Sequence, residues 1–208
     1  MMNKNKKKKS DINFNKKILN QDFQKLQREH QQNTKKRNTI MSKSRELIKE
    51  SKKVIYSIHR NEIIQAKNSI KKVEQELLNL KKKYALNELE SANLYSGALQ
   101  EYVEAKTFLD FMLRGNISSS SKLKINFHDY LCGLADLTGE LGRHAVICAT
   151  NNDFNKVKEI KEFVEYLYGQ FLQFNFSNGE LRKKYDAIKW NLNKIEGILY
   201  DYSIKKKN

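Results

Sequence analysis

A chain of 208 residues with no proline at all, in which apolar side chains recur at steps of three and four, has few ways to fold. Proline breaks helices, and a three-four step lays one apolar stripe along a helix, whereas a strand would alternate. Together these features predict an all-α protein, a helical bundle of about six to seven helices. The length suits one sizeable core, so we expect a single helical domain over residues 13–205 behind a disordered basic arm at 1–12.

Helical periodicity runs from Phe14 to Tyr84 and is clearest where Leu47, Ser51, Val54, Ile55 and Ile58 share a stripe. One or two long helices are expected there, with a break near Gln31–Asn33 or at Asn61. A further helix at 87–114 should end at Arg114-Gly115, a basic last turn followed by a glycine able to adopt the left-handed cap, with a loop at 116–121. Helices are also predicted at 127–149 and 153–174. The run Ser177-Asn178-Gly179-Glu180 fits a capping box opening the last one. There Leu181, Tyr185, Ile188, Leu192, Ile195, Leu199 and Tyr202 form a seam suited to an intramolecular bundle or to a subunit interface.

The formal charge is +16, and Lys4, Lys6, Lys7, Lys8, Lys9, Lys205, Lys206 and Lys207 supply half of it. The body therefore stays basic, which suits a polyanionic partner as well as it suits a plain lysine-rich surface. Lysines 4–9 fit either a nuclear address or a solvated arm. Cys132 and Cys148 form no C-x-x-C pair and are read as unbridged thiols of a reducing compartment. No apolar run reaches the roughly 18 residues of a membrane span. The protein is accordingly expected in the cytoplasm, with the nucleus as a second compartment, and without a membrane partner.

Carboxylates are the informative side chains. In LQEYVEAKTF, Glu101 falls inside the apolar arc of Leu94, Ala98, Ala105, Phe108 and Met112, and Glu104 lies beside it. A carboxylate on an apolar stripe must be paired, hydrogen-bonded or bound to a metal, because burying it bare costs several kcal/mol, roughly, or raises its pKa. In GLADLTGELGR, Asp136 and Glu140 lie opposite the stripe of Phe127, Leu131, Leu134, Leu141 and Ala145, and the wheel alone assigns them to solvent. Yet Gly133, Gly139 and Gly142 each destabilise a helix by roughly 0.5–1 kcal/mol relative to alanine, so a close neighbour is expected on that face.

If the two helices pack together, four carboxylates converge and a cation must offset their repulsion. Oxygen ligands suit Mg²⁺ or Mn²⁺. A di-iron bundle needs Glu-x-x-His twice, and none of His30, His59, His128 or His144 follows a glutamate at that spacing. Carboxylate-held Mg²⁺ beside a basic surface suggests phosphodiester hydrolysis, with the metal activating water and stabilising the leaving oxygen. No Gly-rich phosphate loop, G-x-S-x-G, H-E-x-x-H or zinc-type spacing competes with it. His59, Arg60 and His144 are read as surface residues before nucleic-acid contacts, and the aromatic residues as core.

Four stretches, SRELIKESKKVIYSIHR (44–60), LQEYVEAKTF (99–108), DYLCGLADLTGELGR (129–143) and LRKKYDAIKWNLNKIEGILYDYSIK (181–205), resemble the translin/Trax family, on its Trax side. The resemblance implies an all-α fold, assembly into a closed hollow octamer and binding of single-stranded RNA or DNA. It also implies a Mg²⁺-dependent endoribonuclease site made of Glu101, Glu104, Asp136 and Glu140, which serve as both catalytic residues and metal ligands. The alternative is a translin-like binder without catalysis. The last helix looks more like translin, so the partner is either a translin-like subunit or the chain itself. The family's basic cluster has no counterpart at 90–96, which leaves Lys52, Lys53, His59, Arg60, Arg114 and Arg143 as the candidate RNA contacts.

Overall fold

A computed structural model describes residues 16–205, so the basic arm with Lys4–Lys9, Lys206 and Lys207 lies outside the described residues. Within them the chain forms α1 (Lys16–His59), α2 (Ile63–Lys83), α3 (Leu86–Glu90), α4 (Leu94–Arg114), α5 (Ser120–Leu123), α6 (Phe127–Thr150), α7 (Phe154–Phe171) and α8 (Glu180–Lys205). Among the described residues there is no strand.

Local chemistry accounts for most boundaries. The long first segment breaks at Asn61, whose φ of 61° is a left-handed conformation that asparagine tolerates. At Gln31–Asn33 nothing interrupts the backbone, and α1 continues through. Gly115 caps α4 with φ 64°, its N–H donating to the Phe111 carbonyl at 2.8 Å. The Asn126 side chain accepts from the Asp129 N–H at 2.9 Å and opens α6. Three expectations shift. The helix predicted over 87–114 is divided at 91–93 into α3 and α4, and the loop expected at 116–121 contains the start of α5. The last helix opens at Glu180 with the Lys183 N–H donating to the Gly179 carbonyl at 3.2 Å, so Ser177 stands outside its first turn.

The long helices α1, α4, α6 and α8 pack side by side in that order. Their pairings advance together, so they run parallel. Lys36 meets Glu88 at the start of α4's side, Lys52 meets Glu101, and the His59 ring meets Phe108. Ser96 bonds Asp129 while Phe108 meets His144, and Lys184 pairs with Asp136 while Asn191 donates to Thr138. In contrast, α2 folds back on α1, and α7 runs back along α8, with Phe154 against Tyr202 and Tyr168 against Tyr185. Parallel neighbours need a crossover. Residues 115–126 provide it, as Ser118 donates to Asp110 at 2.6 Å and Tyr130 donates to the Ser118 carbonyl at 2.9 Å.

The core is filled by Phe108, Leu137, Leu141, Ile160, Ile188 and Ile195, each under 2% exposed. Leu181, Ile188, Leu192 and Ile195 are thus buried within their own chain, so this part of the α8 seam is intramolecular. Between α4 and α6 the approach is closest at Gly133, where an added Cβ would lie 2.6 Å from Val103 Cβ and 2.7 Å from the Gln100 carbonyl. Alanine could not occupy that position without moving a helix. Residues 18–39 of α1 are exposed throughout. At about 1.5 Å per residue this stretch is about 33 Å long. Among the described residues, no helix is long and apolar enough to cross a membrane.

Candidate functional site

Because Gly133 lets α4 and α6 touch, the next turns of both helices face one cleft. Glu101 and Glu104 enter from α4 and Glu140 from α6, while Asp136, one turn before Glu140, is near enough to act on Glu101 and Glu104 electrostatically. The flanking helices supply basic partners: Lys52 of α1 stands 3.2 Å from Glu101, His59 Nε2 of α1 stands 2.5 Å from Glu140, and Lys184 of α8 pairs with Asp136. A cleft of about 350 Å³ is lined by Lys52, Ile55, Tyr56, Glu101, Glu104, Glu140 and Arg143. Arg143 reaches Glu140 from one turn along α6, at 3.8 Å.

Glu104 stands apart from the other three. It is 9% exposed and no side chain among the described residues bonds or pairs with its carboxylate. Burial first, then the charges of Asp136, Glu101 and Glu140, push its pKa up to about 9, against a weak opposing pull from Lys184. Burial also raises Glu101, partly offset by Lys52. Glu140 is lowered because the His59 hydrogen bond outweighs its burial. For Lys184, burial pulls the ammonium down, but the bond and charge of Asp136 outweigh it and leave the pKa raised. An all-oxygen set from two helices, with one buried carboxyl lacking a cation, fits a hard divalent ion such as Mg²⁺ or Mn²⁺. Among the described residues no three of these four carboxylates bring oxygens within 4.8 Å of one another, since each of three is drawn toward its own cation.

Several placements differ from the sequence reading. Asp136 and Glu140 are not on a solvent face; their side chains are 31% and 25% exposed, because α6 is covered by α4 and α8 where the wheel assigned water. Glu104, not Glu101, is the more deeply buried of its pair. His59 and His144 are not surface residues. The His59 side chain is 3% exposed, and both rings pack on Phe108 at 5.2 and 5.8 Å. Burial, followed by the His59 charge, lowers the His144 pKa to about 4. Of the three glycines only Gly133 marks a close approach; a Cβ at Gly139 would meet Asn191 at an ordinary 3.7 Å.

Among the basic candidates, Lys52 and Arg143 line the cleft. Arg60 pairs with Glu62 at 2.7 Å and lies over the Tyr56 ring at 5.6 Å. Lys53 pairs with Glu50 at 2.5 Å, outside the cleft lining. Arg114 is at the far end of α4, bound to Asp110 at 2.7 Å. Two residues escaped the sequence reading. Tyr56, 54% exposed in the cleft wall, lies four residues after Lys52 on the same helical face, a signal that was present. Lys184 carried none, since nothing local ties it to Asp136.

The fold and site define an all-helical protein with an acidic cleft between two parallel helices, walled by cations from the helices on either side. The chain belongs to the Translin family, which matches residues 35–206. It is 32% identical over 200 residues to the translin-associated protein X homolog of Schizosaccharomyces pombe, covering 85% of this chain and 84% of that protein. Translin of Gallus gallus matches at 38% over only 84 residues, 40% of this chain and 37% of that protein. The solved structure of an AfC3PO–duplex RNA complex superposes with a TM-score of 0.82 at 24% identity, covering 89% of this chain and 98% of that one.

Proposed function

We propose that the chain is a Mg²⁺-dependent endoribonuclease that cleaves single-stranded RNA inside a translin/Trax-type oligomer, built with a translin-like subunit or with itself, as an octamer. The observation that carries the reading is Glu104: a buried carboxyl with no cation of its own, ringed by three others. Likeness over 85% of the chain to a translin-associated protein X homolog supports it, as does a fold shared with a C3PO whose solved structure contains duplex RNA.

In this reading Glu101, Asp136 and Glu140 would hold the ion, with Glu104 completing the set once their side chains turn from their basic partners. A bound Mg²⁺ or Mn²⁺ supplies Lewis acidity, lowering the pKa of water and offsetting charge on the scissile phosphate. Glu104, the least solvated of the four, would take a proton from the attacking water only once a bound cation, by offsetting the neighbouring carboxylates, had let it give up its own. Lys52 and Arg143 orient the backbone phosphate at the cleft mouth. Tyr56 with Arg60 over it offers a π face to an unpaired base, which favours single strands over duplex.

Glu104→Gln keeps volume but removes the ionisable carboxyl, so Mg²⁺-dependent cleavage should fall by orders of magnitude while assembly and RNA binding persist. Asp136→Asn should behave alike, and the double variant should be scarcely worse than either, because residues acting as a unit do not add. Single-stranded and duplex RNA are assayed with Mg²⁺ and with chelator. Undiminished cleavage by Glu104→Gln would return the site to a structural role. The second reading, a binder without catalysis, draws on the cations that already neutralise Glu101, Asp136 and Glu140; it expects no Mg²⁺-dependent cleavage from the unmodified protein.

A further inference from the structure

Beyond the acidic cleft, the first turns of α6 and α8 bring together three side chains of a different chemistry. His128 and Cys132 are four residues apart and so share one face of α6, while Glu180 is the first residue of α8. One ligand atom from each lies within 4.8 Å of the other two. The Cys132 side chain has no accessible surface, whereas the side chains of His128 and Glu180 are 44% and 56% exposed. An ion arriving from solvent would therefore meet an imidazole and a carboxylate first, with a thiol beneath them.

The imidazole has a carboxylate beside it. His128 Nδ1 stands 3.5 Å from Asp129 Oδ1, and Asp129 is fixed by Ser96, by Gln100 at 3.3 Å and by Asn126 at 2.7 Å. A carboxylate behind one ring nitrogen, itself held by hydrogen bonds, is the support that metal-binding histidines usually have, and it leaves the other nitrogen for an ion. The neighbouring cation, Lys184, is 3.9 Å from Glu180 but is held more closely by Asp136, which offsets its charge.

We infer that His128, Cys132 and Glu180 form a binding site for a zinc-class transition-metal ion, separate from the acidic cleft, with water at the fourth position. Nitrogen, sulfur and oxygen donors suit Zn²⁺ in tetrahedral geometry, and the sulfur selects against Mg²⁺. On binding, the Cys132 S–H bond breaks, an S–metal bond forms and the proton leaves to solvent. Ligand atoms about 2.0–2.3 Å from an ion lie under 4 Å apart, so rotamer adjustments on the order of an ångström by the two exposed side chains would close the site. Such an ion would tie the start of α8 to α6. Cys132 and Glu180 each precede by one turn a member of the Asp136–Lys184 pair, so the tie would brace the helix that supplies the cleft's cation. None of this depends on the nuclease reading.

The test uses the full chain, free of any affinity tag and stripped of metal, titrated with Co²⁺ in excess Mg²⁺. We expect a thiolate-to-cobalt charge-transfer band saturating at one equivalent and displaced by Zn²⁺. The band should vanish in Cys132→Ser and persist in Cys148→Ser. In His128→Asn and Glu180→Gln, both at exposed positions, affinity should fall by about tenfold or more. Circular dichroism checks that Cys132→Ser is folded, and the two exposed variants decide the matter if it is not. Absence of the band, its survival in folded Cys132→Ser, or indifference to both His128→Asn and Glu180→Gln would overturn the assignment.

Discussion

At Glu104 the folded protein holds a proton that the unfolded chain releases. Its carboxyl titrates near 9 rather than near 4.5, so between those values the folded state binds more protons, and stability falls as pH rises across that window. Glutamine has no proton to lose. Without divalent cations, Glu104→Gln should melt with the unmodified protein near about pH 4.5 and several degrees above it by about pH 9, as read by circular dichroism. Adding Mg²⁺ should narrow that gap by stabilising the unmodified protein. Identical melting curves at both pH values would mean that Glu104 is not desolvated as described. A second pair of substitutions separates two glycines that look alike in sequence. Gly133→Ala drives a Cβ into Val103 and should destabilise by about 1–3 kcal/mol. Gly139→Ala meets only an ordinary contact and should be neutral or stabilise by about 0.5–1 kcal/mol in denaturant titration.

Among the elements, α8 and α1 behave oppositely. Ile195 is fully buried against its own chain, so Ile195→Asp places a charge in the core and should unfold the protomer rather than release intact subunits. Light scattering with circular dichroism distinguishes the two; folded monomers would restore the interface reading of that seam. Residues 18–39 of α1 bury nothing in this chain. Deleting residues 1–33 should therefore leave the melting temperature of the body within about a degree or two, since an exposed stretch of helix adds little. The exposed Lys36–Glu88 pair at 2.7 Å survives that deletion.

For the molecule as a whole, a formal charge of +16 surrounds a cleft lined with carboxylates. Affinity for RNA carried by lysine and arginine should fall steeply with salt, because phosphate contacts release counterions. Half of the charge lies in the two tails, so removing residues 1–9 should weaken binding only modestly if the body holds the RNA. Filter binding across a salt series measures both. Salt-independent affinity would refute recognition through the backbone phosphates.

Local patterns determined what is local. Apolar spacing and the lack of proline specified helices, Gly115 and Asn61 ended them, and the misplaced glutamates of LQEYVEAKTF pointed to Glu101 and Glu104 because a charge on an apolar stripe is anomalous within a single helix. Asp136 and Glu140 were marked by the glycines around them and by the family resemblance, while the helical wheel alone assigned them to solvent. A helical wheel allots one face to the core and the other to water, whereas α6 lies in the middle of a row and is covered on several sides. The same limit hid the burial of His59 and His144. It also hid Lys184, which is 48 residues from Asp136 in sequence. Only tertiary packing decided which of three glycines lets two backbones touch, and that contact is what brings the carboxylates of two helices together.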